Sequence, residues 1–326
     1  MARLQLPRIR SIMETSSLNL ESPSPWPHRF AVLTTFATVP LLFIGGLVTS
    51  TDSGMAVPDW PTTFGKNMFL YPWSKMVGGI FYEHSHRLFG SLVGFLTILL
   101  TISLWVKEPR SWLRWLGVSA LGAIIVQGIL GGLRVTLVKQ TLAIIHACFA
   151  QAFFALAASL VLFTSAEWRV PIVAKAAPDA GRVQRLGVIT TGLIYVQLIF
   201  GAILRHRGEA DLLHIIGAIL VSVHVILLTA RVTRNTSSIP LLVKTARFLL
   251  SLLVVQLLLG IGAYLGKFTQ AGSILNPYVV PLATTHVVVG ALMLVTCLIL
   301  ALRSYRLLTP LPLTLQSQTV SKQASL

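Results

Sequence analysis

Long apolar blocks separated by short polar stretches set the pattern along this chain. The blocks fall near residues 30 to 50, 87 to 106, 115 to 134, 141 to 163, 186 to 205, 212 to 230, 246 to 266 and 280 to 302. Each approaches the roughly 20 residues that a helix needs to cross a hydrocarbon core about 30 Å thick. Eight transmembrane helices are predicted, and the expected fold class is an all-α membrane protein. Residues 1–29 are basic and rich in Ser and Pro, without an apolar core. They read as a cytoplasmic arm rather than a cleaved signal peptide, with the first crossing retained.

The blocks also repeat. Four of them end alike, as LLFIGGLVTS (41 to 50), VQGILGGLRV (126 to 135), VQLIFGAILR (196 to 205) and VQLLLGIGAY (255 to 264). Each is followed, after a loop, by a block with a histidine near its start: His86, His146, His214 and His286. Helix pairs nested in two halves predict two pseudo-symmetric four-helix bundles, at 30–165 and 186–303. A cytoplasmic linker at 166–185 joins them, and a cytoplasmic tail at 304–326 follows. The small pairs Gly45/Gly46, Gly131/Gly132, Gly201/Ala202 and Gly260/Gly262 would let helix backbones approach closely, and helix packing is preferred over ligand contact as their role.

Composition agrees: 54% of the 326 residues are hydrophobic and 11% charged, with mean hydropathy +0.78, far from an ordinary soluble domain. The net charge of +16 would suggest nucleic acid in a soluble protein. Here eighteen of the 26 Lys and Arg fall on the side of the N-terminus and eight on the other. That bias puts both termini in the cytoplasm and accounts for most of the charge without nucleic acid. The two cysteines, Cys148 and Cys297, lie inside apolar blocks and read as buried bystanders rather than disulfide partners or metal ligands.

A lone intramembrane histidine is as readily a hydrogen-bonded core residue as a ligand, but four in register carry more weight. Each half offers two imidazoles at similar depth, His86 with His146 and His214 with His286, with no cysteine or carboxylate cluster beside them. Zinc would want three or four such ligands. Two facing imidazoles suit a six-coordinate haem iron held between helices. His28 and His224 read as structural or incidental. His206, between Arg205 and Arg207, reads equally as a propionate contact or a solvated loop residue.

The segment FYEHSHRLFG (81 to 90) concentrates polar groups at the mouth of the second crossing. Glu83 lies three residues before His86, on the same helical face, whereas His84 diverges from His86 by about 200°. An N-terminal carboxylate favoured by the helix dipole is the plainer reading of Glu83. Its counterpart in the second half, Asp211 before His214, is a methylene shorter, so the halves are expected to share ligands but not chemistry. Tyr82, His84 and Ser85 read as an interfacial helix start.

The outer loop GGLVTSTDSGMAVPDWPTTFGK (45 to 66), the EHSHR box (83 to 87) and one histidine at the start of each even helix resemble the haem A synthase family over residues 30 to 303. The resemblance implies an enzyme of haem A biosynthesis, a cytochrome oxidase cofactor. It would be a membrane oxidoreductase that oxidises a methyl group of haem O to a formyl by successive hydroxylations. By motif, His86 and His146 would flank the substrate iron, Glu83 would be the catalytic carboxylate, and His214 and His286 would ligate a haem b in the C-terminal half. Arg87 and Arg134 would meet propionates, with the haem sites near the outer face of a bacterial cytoplasmic membrane. Electrons would leave through the haem b to a membrane acceptor, and a haem O synthase is the implied supplier. Two departures stand out: the loop lacks the cysteine pair of some members, and no PDWP-like loop precedes His214, where Ile215 stands in the place of Arg87. The rival is a non-catalytic di-haem b-type cytochrome, which needs the histidines but neither Glu83 nor the long loop. A transporter is favoured only by the repeat, and the halves share one orientation rather than inverted topology.

Overall fold

The computed structural model of the protein describes residues 24–268 and 272–311. Most of the arm and tail expected from sequence, residues 1–23 and 312–326, lie outside the described residues. Eight long helices carry the fold: α1 (Trp26–Ser50), α2 (Gly79–Lys107), α3 (Ser111–Thr136), α4 (Gln140–Thr164), α5 (Ala180–Arg207), α6 (Asp211–Asn235), α7 (Pro240–Phe268) and α8 (Gly272–Leu307). All eight are long and apolar enough to cross a membrane. Such segments satisfy every backbone group internally, which is what a bilayer demands.

The helices start and stop beyond the apolar blocks because hydropathy marks the part in hydrocarbon, not the hydrogen-bonded ladder. α1 starts at Trp26, after Pro25, and Arg29 lies 5.2 Å over the Trp26 ring, an aromatic and a cation at the interface. His28 therefore sits in α1 rather than in a polar arm, bonded to Thr164 Oγ1 at 3.1 Å. α5 ends at Gly208, whose φ of 72° closes the helix in the left-handed region.

Helix contacts run in two rings. α1 touches α2, α2 touches α3, α3 touches α4 and α4 returns to α1; α5 to α8 close in the same order. Between the rings α1 meets α8, and α4 meets both α5 and α8. α2 and α4 are thus opposite corners of the first ring, and α6 and α8 of the second. A histidine on each of two opposite corners meets its partner in the middle.

One end of the molecule is sealed by apolar packing and carboxylate pairs. Leu100, Leu104, Leu113 and Leu160 are fully buried there in the first ring, as are Val225, Leu228, Leu242 and Leu249 in the second. Glu108 pairs with Arg110 at 2.6 Å, Glu167 with Arg303 at 2.8 Å and Asp179 with Arg231 at 3.0 Å. Burial alone would raise the Glu108 carboxyl, but the Arg110 side chain and amide outweigh it and hold it below its usual value. The segment between the rings carries a helical turn, Ala166–Arg169, and strand β1 (Lys175–Ala177), which pairs in parallel with β2 (Leu308–Pro310) just past α8. His86, His146, His214 and His286 lie at the other end.

Candidate functional site

His86 and His146 meet across the first ring with ring centroids 6.3 Å apart and planes at 78°. His214 and His286 meet across the second at 6.2 Å and 70°. Bonds of about 2 Å from each imidazole nitrogen to a shared ion, with each ring centre about an ångström behind its nitrogen, would give near 6 Å. All four rings are half-buried, as side chains lining an internal cleft are. Two shallow apolar grooves of about 360 Å³ lie elsewhere, one beside Trp105 and one beside Tyr195.

Each ring rests on one glycine of the preceding helix. A Cβ on Gly45, Gly131, Gly201 or Gly260 would come within 2.9, 3.1, 3.1 or 2.9 Å of Cε1 of His86, His146, His214 or His286. Helical Cβ atoms lean toward the N-terminus, so a glycine also uncovers the carbonyl four residues earlier. Those carbonyls belong to Leu41, Gln127, Gln197 and Gln256, and each histidine ring is turned toward its own. His286 Nδ1 donates to Gln256 O at 3.1 Å. Nδ1 of His86 and of His146 stops short of a hydrogen bond. What these four glycines admit at the helix–helix contact is thus a histidine ring of the following helix. Their neighbours differ: Gly46 takes Thr284, Gly262 takes Leu282, and Gly132 takes the Trp60 indole.

The donor chemistry fits haem. Among the described residues no group of three or more His, Cys, Asp or Glu comes together. Each imidazole pair therefore needs a group that brings the remaining ligands itself, as a porphyrin does. Nδ1–H on a backbone carbonyl is also the usual way to fix a ligating imidazole with Nε2 toward the metal.

Glu83, His84 and Arg87 of the EHSHR box bind residues 51–78, the loop between α1 and α2. Glu83, 4% exposed, accepts from the Val57 amide at 2.9 Å and pairs with Arg87 at 2.8 Å. Arg87 donates further to the carbonyls of Val57, Asp59 and Thr62 at 2.8, 2.6 and 3.0 Å. His84, 1% exposed, bonds Thr63 Oγ1 at 3.1 Å and lies 5.2 Å from the Tyr71 ring. It is a buried anchor of the loop, not the interfacial residue its sequence suggested. Arg134, on α3, donates to Gly54 O at 2.9 Å.

Within the loop, Asp59 accepts from the amides of Phe64 and Gly65 at 2.7 and 2.8 Å. Burial would raise its carboxyl, but the bonds from Gly65, Thr62 and Phe64 prevail and hold it at about 2. The whole loop is latched down over the first ring. Among the described residues nothing comparable covers the second: Gly208, Glu209 and Ala210 alone join α5 to α6, and Asp211 and Ile215 are exposed.

Cations cluster between the rings at this end. Arg205 donates to Gly46 O at 2.6 Å and Ala283 O at 3.2 Å, tying α5 to α1 and α8. His206 lies in the last turn of α5, within electrostatic reach of Arg134 and Arg205. His224 is half-buried on α6, with ring Nδ1 2.9 Å from Leu220 O. Arg205, Trp60 and the three glutamines were not singled out from sequence. The glutamines were visible in the repeated VQ of three helix ends, whereas the Trp60 contact spans the whole length of α2 and left no local sign.

Comparison with known proteins follows the same lines. A "Heme A synthase" of Shouchella clausii is 32% identical over 191 residues, which cover 55% of this chain and 59% of that protein. Proteins of the same name from Oceanobacillus iheyensis and Halalkalibacterium halodurans are 33% and 36% identical over 161 and 141 residues, covering 46% and 42% of this chain. The chain spans 59%, 48% and 45% of the length of these three relatives. The sequence model of the COX15-CtaA family, cytochrome oxidase assembly protein, matches residues 28–212, from α1 to the start of α6. With the latched loop and all but the first two residues of the first ring inside that match, the chain belongs to the COX15-CtaA family of cytochrome oxidase assembly proteins.

Proposed function

We propose that the protein is a haem A synthase, a membrane oxidoreductase that converts the porphyrin methyl group of haem O to a formyl by successive hydroxylations. The observation that carries this reading is the pair of matched imidazole sites with, among the described residues, a latched loop and a buried carboxylate over one of them and not the other. In the first ring, His86 and His146 would hold the substrate haem O. In the second, His214 and His286 would hold a resident haem b, which supplies one-electron transfer toward a membrane acceptor.

The residues of the first ring would then divide the work. The loop, held by Arg87 and Glu83, excludes bulk water and so strengthens every charge interaction beneath it. Glu83 is the only acidic side chain within one helical turn of His86. It is the group to take a proton from the water that adds to the oxidised methyl carbon, or to stabilise positive charge there. Its pairing with Arg87 favours the second role. Arg134, Arg205 and His206 supply cationic and donor groups for propionates, and Arg87 reaches them only by releasing loop carbonyls. Both termini lie in the cytoplasm and the sites near the outer face, in line with the charge bias. A haem O synthase is the supplier this chemistry needs.

The test is to express the chain with a haem O supply and identify the extracted haems by mass. Haem A is expected beside haem b. Recovery of haem b and haem O alone from intact protein would leave the di-haem cytochrome as the reading.

A further inference from the structure

The helix that carries the EHSHR box has two faces. At about 100° per residue, His86, Val93, Leu100 and Leu104 of α2 share one stripe, and the last three are fully buried. Phe95, Ile98, Ile102 and Trp105 lie on the opposite stripe and are 57, 44, 55 and 49% exposed, as side chains toward lipid are in a helix fit to cross a bilayer. His84 belongs to that second stripe, because Phe95 and Ile102 follow it by eleven and eighteen residues, which return the helix to within about 20° of the same direction. Yet His84 is buried, bonded to Thr63 Oγ1 and close against the Tyr71 ring. The loop therefore takes, beside the outer turns of α2, the place that lipid takes further along the same stripe.

The loop's own far side is apolar. Around two short turns, Met68–Leu70 and Trp73–Lys75, Tyr71 and Met76 are buried, while Phe69, Leu70, Trp73 and Val77 are 65, 78, 77 and 65% exposed. Phe81, in the first turn of α2 and exposed as well, continues this patch toward the lipid-facing stripe. Lys66 and Lys75 stand beside it in sequence, both exposed, and among the described residues neither pairs with an acid.

We propose that residues 69–77 are a membrane anchor for the covering loop: Phe69, Leu70, Trp73 and Val77 enter the boundary between headgroups and acyl chains at the histidine end of the molecule, with Lys66 and Lys75 at the level of the lipid phosphates. Aromatic and aliphatic side chains edged by cations are what that boundary takes up. A contiguous apolar patch of this kind marks a surface meant to be covered. Its continuity with the lipid-facing stripe of α2 favours the bilayer over a second protein as the cover. The loop is then held from two sides, by Glu83 and Arg87 within and by lipid without. None of this depends on what the histidine pairs bind.

The full chain in nanodiscs of phosphatidylglycerol and phosphatidylcholine tests the anchor by two routes. With Cys148→Ala and Cys297→Ala as background, a nitroxide on Leu70→Cys is expected to collide more with oxygen, which concentrates among acyl chains, than with an aqueous nickel chelate. A nitroxide on Lys66→Cys should show the reverse order. Helical circular dichroism checks that each labelled chain is folded. The second route needs no label: Trp73 emission, taken as the difference between wild type and Trp73→Phe, should be quenched by phospholipids brominated high on the acyl chain and spared by iodide. A label at residue 70 that favours the nickel chelate, or Trp73 emission quenched by iodide and not by brominated lipid, would overturn the anchor and leave the patch to a protein partner. Neither readout involves haem, so that failure would leave the proposed function standing.

Discussion

In both rings two histidines on opposite helices meet at close to the same separation, 6.3 and 6.2 Å, each on a glycine of the helix before. Around those pairs the rings diverge. The first has residues 51–78 folded over it and latched through Glu83, His84, Arg87 and Arg134, while the second has a three-residue turn and an exposed Asp211. The two rings share an imidazole spacing and differ in what surrounds it. On the proposed reading, the pair of imidazoles would say where a haem sits, and the groups one shell out whether it reacts.

The largest effect should come from the ligands themselves. His214→Ala or His286→Ala is expected to remove the second-ring haem and leave the first, and His86→Ala or His146→Ala the reverse. Haem-to-protein ratio in purified chain checks this, and loss of both haems from each variant would erase the distinction between rings.

Next comes the latch. Arg87→Lys replaces a planar fork that serves four oxygens with a point charge that cannot, so the loop should open. Tryptic cleavage at Lys66 or Lys75 should accelerate by about tenfold, since cleavage follows the population of the open form. Ile215→Lys in the second ring should change nothing of the kind.

How much of this the sequence carried differs between fold and site. Eight helices, and histidines in register, were legible because bilayer length and repeat spacing are local properties. The i,i+3 relation of Glu83 and His86 was legible too. Which neighbours each would find was not, since Val57 and Thr63 reach Glu83 and His84 only when the loop folds back across the helix. The glycines were legible only in part: a small residue announces a close approach but not what approaches.

A smaller effect tests those seats. Gly131→Ala and Gly201→Ala put a methyl group 3.1 Å from the ring of His146 or His214. Each should cost about 1–3 kcal/mol, the range for overpacking, and perturb the haem of its own ring alone. Gly122→Ala, with nothing within 4 Å of the new methyl, should be neutral or slightly stabilising in a helix. Thermal melts with haem spectra separate the three.

The smallest effect is in pH. Asp59 is held at about 2 against an ordinary 3.8, so its contribution to the loop is complete above about 4 and fades as the pH falls toward 2. Trp60, which packs on Gly132, should report loop release by fluorescence in that window. Asp59→Asn should abolish the transition, and no second-ring probe should follow it.

The most direct test sets the two carboxylates against each other in cells supplied with haem O, with bound haems identified by mass. Glu83→Gln should keep haem b and haem O but lower haem A by about 100-fold or more, the scale of a lost acid–base or electrostatic contribution. Asp211→Asn should yield haem A within about twofold of wild type, as an exposed surface substitution does. Undiminished haem A from Glu83→Gln, or its loss from Asp211→Asn, would contradict the assignment of chemistry to the first ring.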